Sequence, residues 1–187
     1  HIVTDRVIGK EEDGRYRSLM DGWGAAAPRK LFVFFQFQAF FIVLFSLPFV
    51  PLASAPAPPG LVQAILAMAV WCVAVFGETA ADAQLARWRR DPAHRGRTCR
   101  QGLWRYSRHP NYFFEWLHWW AYVVLGWGQP YGWVTLVGPV VMLVFLYRVT
   151  GIPYTERQAL RSRGDDYRDY QQTVSAFFPW FPKRSSE

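Results

Sequence analysis

Gly102-Leu-Trp-Arg-Tyr-Ser-Arg-His-Pro-Asn-Tyr-Phe-Phe-Glu115 is a basic, aromatic segment that runs straight into an apolar helix carrying Asn111, Glu115 and His118. Pro110 marks where that helix begins, because proline is favoured in a first turn whose N–H groups have no intrahelical partner. Asn111, Glu115 and His118 then recur at i, i+4 and i+7 on one face, while Tyr112, Trp116, Trp119 and Trp120 cover the others. Polar groups on one face of an apolar helix face a bundle interior or a water-filled cavity. His118 reads as hydrogen-bonded structure, whereas Asn111 and Glu115, beside the basic segment, read as a site.

Outward from this segment the chain is sharply segregated, although its mean hydropathy of −0.03 would suit a soluble protein. No Lys or Arg occurs between Leu31 and Ala86, and none between His109 and Tyr147. Each gap holds two apolar runs: Leu31 to about Ala55 and Leu61 to about Phe76, then Tyr112 to Leu125 and Trp133 to Tyr147. With their uncharged polar ends these approach the roughly 20 residues of a spanning helix, the second and third being short. Pro51–Gly60 and Gly126–Gly132 are rich in Pro and Gly, which interrupt helices. The pattern predicts an all-α membrane bundle with about four transmembrane helices arranged as two hairpins.

All 21 Lys and Arg lie outside these gaps, in the segment to Lys30, the loop from Arg87 to Arg108 and the tail from Arg148. Under the positive-inside rule the three basic parts are cytoplasmic and both turns external, as in a bacterial inner membrane. The 10 Trp and 9 Tyr crowd the ends of the runs, as an interfacial belt requires. The net charge of +7 is not read as a nucleic-acid footprint, since the basic parts are tethered to membrane spans and no nucleic-acid motif occurs. Cys72 and Cys99, one in an apolar run and one in the basic loop, predict neither a disulfide nor a metal site.

Eight arginines fall between Arg87 and Arg108. Topology alone uses such charge, but Glu78, Asp82, Leu85 and Arg89 follow i, i+4, i+7 and i+11, one helical face that brings carboxylates to the arginines. Arginine's planar fork suits bidentate phosphate binding, and carboxylates accept ribose hydroxyls, so the combination reads as a nucleotide cradle. Neither a Gly-x-Gly-x-x-Gly element nor a P-loop is present, which excludes Rossmann and Walker sites at the level of motif.

Together with Glu78-Thr-Ala-Ala-Asp-Ala-Gln-Leu-Ala-Arg-Trp-Arg89 before it and Gly151-Ile-Pro-Tyr-Thr-Glu156 to Tyr170 after it, the opening segment resembles the bacterial DUF1295 proteins. These group with the steroid 5-alpha-reductases, in a superfamily with the sterol C14 reductases and the isoprenylcysteine carboxyl methyltransferases. The resemblance covers nearly all of residues 1–187, including Lys10–Tyr16 and Ser175–Lys183. It implies a membrane domain of about seven spans, with NADPH in a cytoplasm-facing cavity. Residue by residue it carries cofactor contacts onto Glu78, Asp82, Arg89, Arg97, Asn111, Glu115 and, in the tail, Tyr154. The steroid reductases have an amide at the first of these positions, where this chain has Glu78. The Tyr and Glu that polarise the enone carbonyl in those enzymes lie upstream of the segment matching His1, so no catalytic donor is assigned, Glu115 being the one candidate within the chain. His1–Gly9 reads as the cytoplasmic end of a preceding helix, and the chain as a fragment lacking its upstream helices. Arg184–Glu187 reads as a frayed end.

The reading that follows is an NADPH-dependent reductase of an activated C=C bond in a steroid-like or other lipophilic enone. Arg89, Arg97, Arg105 and Arg108 are assigned to phosphates, Asp82 and Glu78 to ribose or amide contacts, and Asn111 and Glu115 to the inner end of the cofactor. The alternatives are an S-adenosylmethionine-dependent methyltransferase of the isoprenylcysteine type, which gives the arginine cluster less to do, and a non-catalytic protein that binds lipid head groups.

Overall fold

A computed structural model describes residues 20–149 and 151–183. The expectations for His1–Gly9, Lys10–Tyr16 and Arg184–Glu187 lie outside the described residues. Every regular element among the described residues is helical. The chain divides into two compact units, one ending at Leu44 and the other starting at Phe45.

Helix α1 (Ala27–Ser46) begins in the first unit and runs across the division. Within the first unit, the Lys30 ammonium sits 5.7 Å from the Trp23 ring centroid. The second unit holds a short α2 (Val50–Ala53), α3 (Leu61–Arg90), α4 (Pro110–Gly126), α5 (Val137–Val144), α6 (Ile152–Arg163) and α7 (Asp165–Thr173). A π-helical turn, Phe145–Val149, follows α5.

Met20–Ala53, Leu61–Arg90 and Gly132–Arg163 are long and apolar enough to cross a membrane. Helix α4 has 17 residues, roughly 25 Å at 1.5 Å per residue, just short of a hydrocarbon core of about 30 Å. It starts at Pro110, as the sequence predicts. Helix α3 is much longer than its apolar run: the carboxylates and arginines after Phe76 end the hydrophobicity but not the backbone ladder, which continues to Arg90 and makes a helix of 30 residues.

Helices α3 and α4 run antiparallel and form the most extensive helix pair of the second unit. At one end the Gln63 side-chain amide donates to the carbonyls of Val124, Leu125 and Trp127 at 2.7, 3.1 and 2.9 Å. At the other, Asn111 Nδ2 donates to Asp82 Oδ1 at 3.1 Å. Buried Ala67, Ala74 and Ala81 recur every seven residues on α3, and any Cβ at Gly77 would overlap the Phe114 ring. Small residues let helix backbones approach closely where lipid removes most of the hydrophobic drive for association. Tyr112, Phe113 and Trp116 of α4 pack against a cluster of Leu146, Ile152 and Phe177. Gly151 allows the sharp entry into α6, since a Cβ there would lie 2.5 Å from the Leu146 carbonyl oxygen.

Beyond Arg90 the fold becomes a polar head in which the loop 91–109, helices α6 and α7 and the returning tail are stitched together by hydrogen bonds. Asp91 caps the loop by accepting from the Ala93 amide at 2.9 Å. His94 stacks on Trp88, with centroids 3.5 Å apart and planes 2° from parallel. Trp104 Nε1 donates to the Ala81 carbonyl at 2.9 Å, and the Leu103 amide to Gln84 Oε1 at 2.9 Å, which seats the loop on α3. The tail closes over it: the Arg108 amide donates to the Ser175 carbonyl at 2.8 Å, Ser107 Oγ to the Phe177 carbonyl at 2.8 Å, and the Trp180 amide to the Tyr106 carbonyl at 2.9 Å.

Candidate functional site

A cavity of about 730 Å³ opens between α3, the basic loop, the start of α4 and the α6–α7 hairpin. Helix α3 presents Asp82, Leu85, Trp88 and Arg89, the face its periodicity marks. The loop adds His94 to Cys99, and α4 adds Asn111 and Tyr112. From α6 come Thr155, Gln158, Ala159, Ser162 and Arg163, a stripe of i, i+3/i+4 and i+7/i+8, and from α7 Tyr167 and Tyr170.

The charge of this lining is lopsided, with arginines at 89, 95, 97, 108 and 163 against the single carboxylate of Asp82. Arg89, Arg95, Arg97 and Arg163 pair with no carboxylate among the described residues. Arg108 differs: its Nε donates to Glu156 Oε1 at 2.7 Å and its Nη1 to the carbonyls of Gln171 and Val174 at 2.8 and 2.7 Å. Glu156 also meets His109 Nε2 at 3.2 Å, Gln171 Nε2 at 2.8 Å and the Tyr167 hydroxyl at 3.4 Å. Three of the five Arg108 donors are therefore committed to joining the loop to α6 and the tail, and its expected phosphate contact falls to Nη2.

Asp82 and Asn111 meet at the rim, and Glu78, Asp82 and Glu115 lie within electrostatic reach of one another across α3 and α4. Glu78 and Glu115 stand one turn further along the helix pair, outside the lining. Arg105 and Tyr154, both exposed, also lie outside it. His118 accepts or donates one hydrogen bond, to the Tyr122 hydroxyl at 3.1 Å, as its structural reading expects.

Burial pushes the phenols of Tyr167 and Tyr170 above the usual tyrosine range, and neighbouring Glu156 and Tyr167 respectively add to this. Both stay neutral donors at neutral pH. The Tyr170 hydroxyl faces the Trp104 carbonyl and, at 3.1 Å, the Ser107 carbonyl, bracing the cavity floor. Burial likewise raises the Cys99 thiol, against a lowering hydrogen bond from the Gln101 backbone and the charges of Arg163 and Arg89.

The wall contributed by α6, and Arg163 above all, is absent from the expectations drawn from sequence. Its signal is the helical stripe Thr155, Ala159, Ser162 and Arg163, in a segment from which the sequence reading takes only Tyr154 as a cofactor contact.

These features define a polytopic helical membrane protein with an arginine-lined cavity at one end of its central helix pair. A family model described as a protein of unknown function, DUF1295, matches residues 1–174. The chain belongs to the DUF1295 family. No curated protein and no solved structure matches it.

Proposed function

We propose that the cavity binds NADPH and that the chain serves a membrane-embedded, NADPH-dependent reduction of an activated C=C bond in a steroid-like or other lipophilic enone. The observation that carries this is the set of arginines without carboxylate partners among the described residues, lining one cavity with the hydrogen-bonded Asp82–Asn111 pair.

The residues present fit such a cofactor. The volume lies within the roughly 300–1,000 Å³ of small-molecule sites. Arg89, Arg95 and Arg97 offer planar forks to phosphate oxygens, and the Asp82 carboxylate, oriented by Asn111, retains acceptor capacity for ribose hydroxyls. Trp88 and Tyr112 supply flat apolar walls for a planar ring. NADPH, when bound, supplies the hydride that adds to the β-carbon of the enone. The chain's task is to orient and hold charge: Asn111 on α4 meets the cofactor at the cavity wall, while Glu115, one turn beyond the lining, acts on it only through its charge. The basic loop faces the cytoplasm in this reading, where the cofactor is available, and the substrate arrives from the bilayer.

Calorimetry on the detergent-solubilised chain tests this. NADPH should bind, and Arg97→Ala should weaken it about tenfold or more, the scale of a hydrogen bond to a charged group. Binding of S-adenosylmethionine without NADPH would replace the reductase reading with the methyltransferase one.

A further inference from the structure

We propose that Arg163, Arg89 and Thr98 form a subsite for a phosphate monoester, and that this subsite makes the cavity select NADPH over NADH. The inference rests on the nucleotide reading above and assigns the 2′-phosphate a place within it.

Thr98 is 4% exposed and lines the cavity, yet its Oγ1 is buried with no hydrogen-bond partner among the described residues. The residue is not loose: its amide donates to Asp166 Oδ2 at 2.7 Å, so the backbone is pinned while the hydroxyl is left over. Buried hydroxyls are normally paired, and one that is not invites a ligand atom.

Arg89 and Arg163 line the same cavity as Thr98. The thiol of Cys99, next in the chain, lies in the fields of both Arg163 and Arg89. Those two guanidinium groups also repel each other, which Asp166 offsets in part at Arg163 and an anion between the two would relieve further. Arg163 is half-buried and lies 5.0 Å over the Tyr167 ring, a contact that fixes it without consuming its in-plane donors. The neighbouring carboxylate, Asp166, is already engaged by the Thr98 amide and by Arg100 Nη2, 3.4 Å from its Oδ1. Arg100 itself donates to the Asp166 carbonyl at 2.7 Å and stays on that side of the hairpin.

Two forks and one hydroxyl require a group with several acceptor oxygens and more than one negative charge. A phosphate monoester offers three terminal oxygens and a charge of about −1.5 to −2 at pH 7. A phosphate within a pyrophosphate has only two non-bridging oxygens and a single charge, and Arg95 and Arg97 on the loop remain to meet it. The 2′-phosphate is also the one group by which NADPH differs from NADH. The subsite therefore acts on specificity and leaves the rest of the dinucleotide to the other walls.

The test is calorimetric titration of the full chain in detergent with NADPH, NADH and adenosine 2′,5′-bisphosphate. The unaltered chain should prefer NADPH and bind the bisphosphate. Arg163→Gln should weaken NADPH and the bisphosphate about tenfold or more while changing NADH by less than about twofold. Arg163→Lys should restore part of the loss. Thr98→Val, which keeps the side-chain shape, should lower the NADPH:NADH affinity ratio with NADH unchanged. If Arg163→Gln weakens both dinucleotides equally, or neither, the subsite assignment is overturned while the nucleotide reading stands. Should Arg163→Gln fail to fold, an unaltered ratio in Thr98→Val overturns the assignment. If the unaltered chain binds neither dinucleotide, the nucleotide reading itself falls, and the subsite with it.

Discussion

The α3–α4 pair and the polar head of the second unit solve the same problem, holding helices in a fixed relation, by opposite means. Between α3 and α4 the contact is made by absence of side chain: Ala67, Ala74, Ala81 and Gly77 let the backbones close, and hydrogen bonds appear near the ends, at Gln63 and Asn111. In the head, Arg108, Glu156, Gln171, Tyr167 and Tyr170 form a half-buried web in which most polar groups have a partner. Close packing suits a surrounding of lipid, where polar groups are costly to leave unpaired. A polar web suits a region that must also keep arginines at the wall of a water-accessible cavity.

If that contrast is right, charge changes should hurt the head most and volume changes the helix pair. The largest effect is expected from Arg108→Met, because it strands Glu156 beside a buried contact; the two side chains are only 11% and 15% exposed. Thermal unfolding in detergent should show a loss of about 3–5 kcal/mol, the scale for removing one partner of a buried pair. A loss under about 1 kcal/mol would mean that the web does not hold the head together. In the helix pair, Gly77→Leu should cost about 1–3 kcal/mol by overlap with the Phe114 ring. Gly60→Ala, in open space, is its control and should be nearly neutral.

Tyr170→Phe should come next, at about 1–2 kcal/mol, since it deprives the Trp104 and Ser107 carbonyls of their donor. The same residue makes an alkaline prediction. Its folded pKa and that of Tyr167 are raised by burial, so above about pH 10 the unfolded chain releases protons that the native one keeps. Stability should therefore be unaffected by these groups at neutral pH and fall as pH rises through the ordinary tyrosine range. The fall, followed as melting temperature between pH 8.5 and about 11, should be shallower in Tyr170→Phe. Equal slopes would show that the phenol is not desolvated as the structure has it.

The smallest effect is expected from Arg168→Ala. Its pair with Asp165 is as short as the Arg108 pair, 2.7 Å, but the side chains are 68% and 93% exposed. A change within about 0.5 kcal/mol, read in the same melting assay, is the scale for a solvated ion pair. A loss comparable to that of Arg108→Met would erase the distinction between surface and web.

Much of the architecture was legible in the residues. Segregation of Lys and Arg from the apolar runs determined a helical membrane chain, Pro110 determined where α4 starts, and the spacing of Glu78, Asp82 and Arg89 determined which face of α3 carries polar groups. These are local properties, written in periodicity and hydropathy. Hydropathy stops at Phe76, but the helical spacing from Glu78 to Arg89 carries the same helix on, and its backbone hydrogen bonds run to Arg90. Tertiary structure alone decided that Arg108 is largely spent on Glu156, 48 residues away, and on the carbonyls of Gln171 and Val174, and that Arg163 comes round to the cavity wall. Which arginine meets a carboxylate and which is left for a ligand depends on how the chain closes over long loops, and no residue's own chemistry or spacing carries that information.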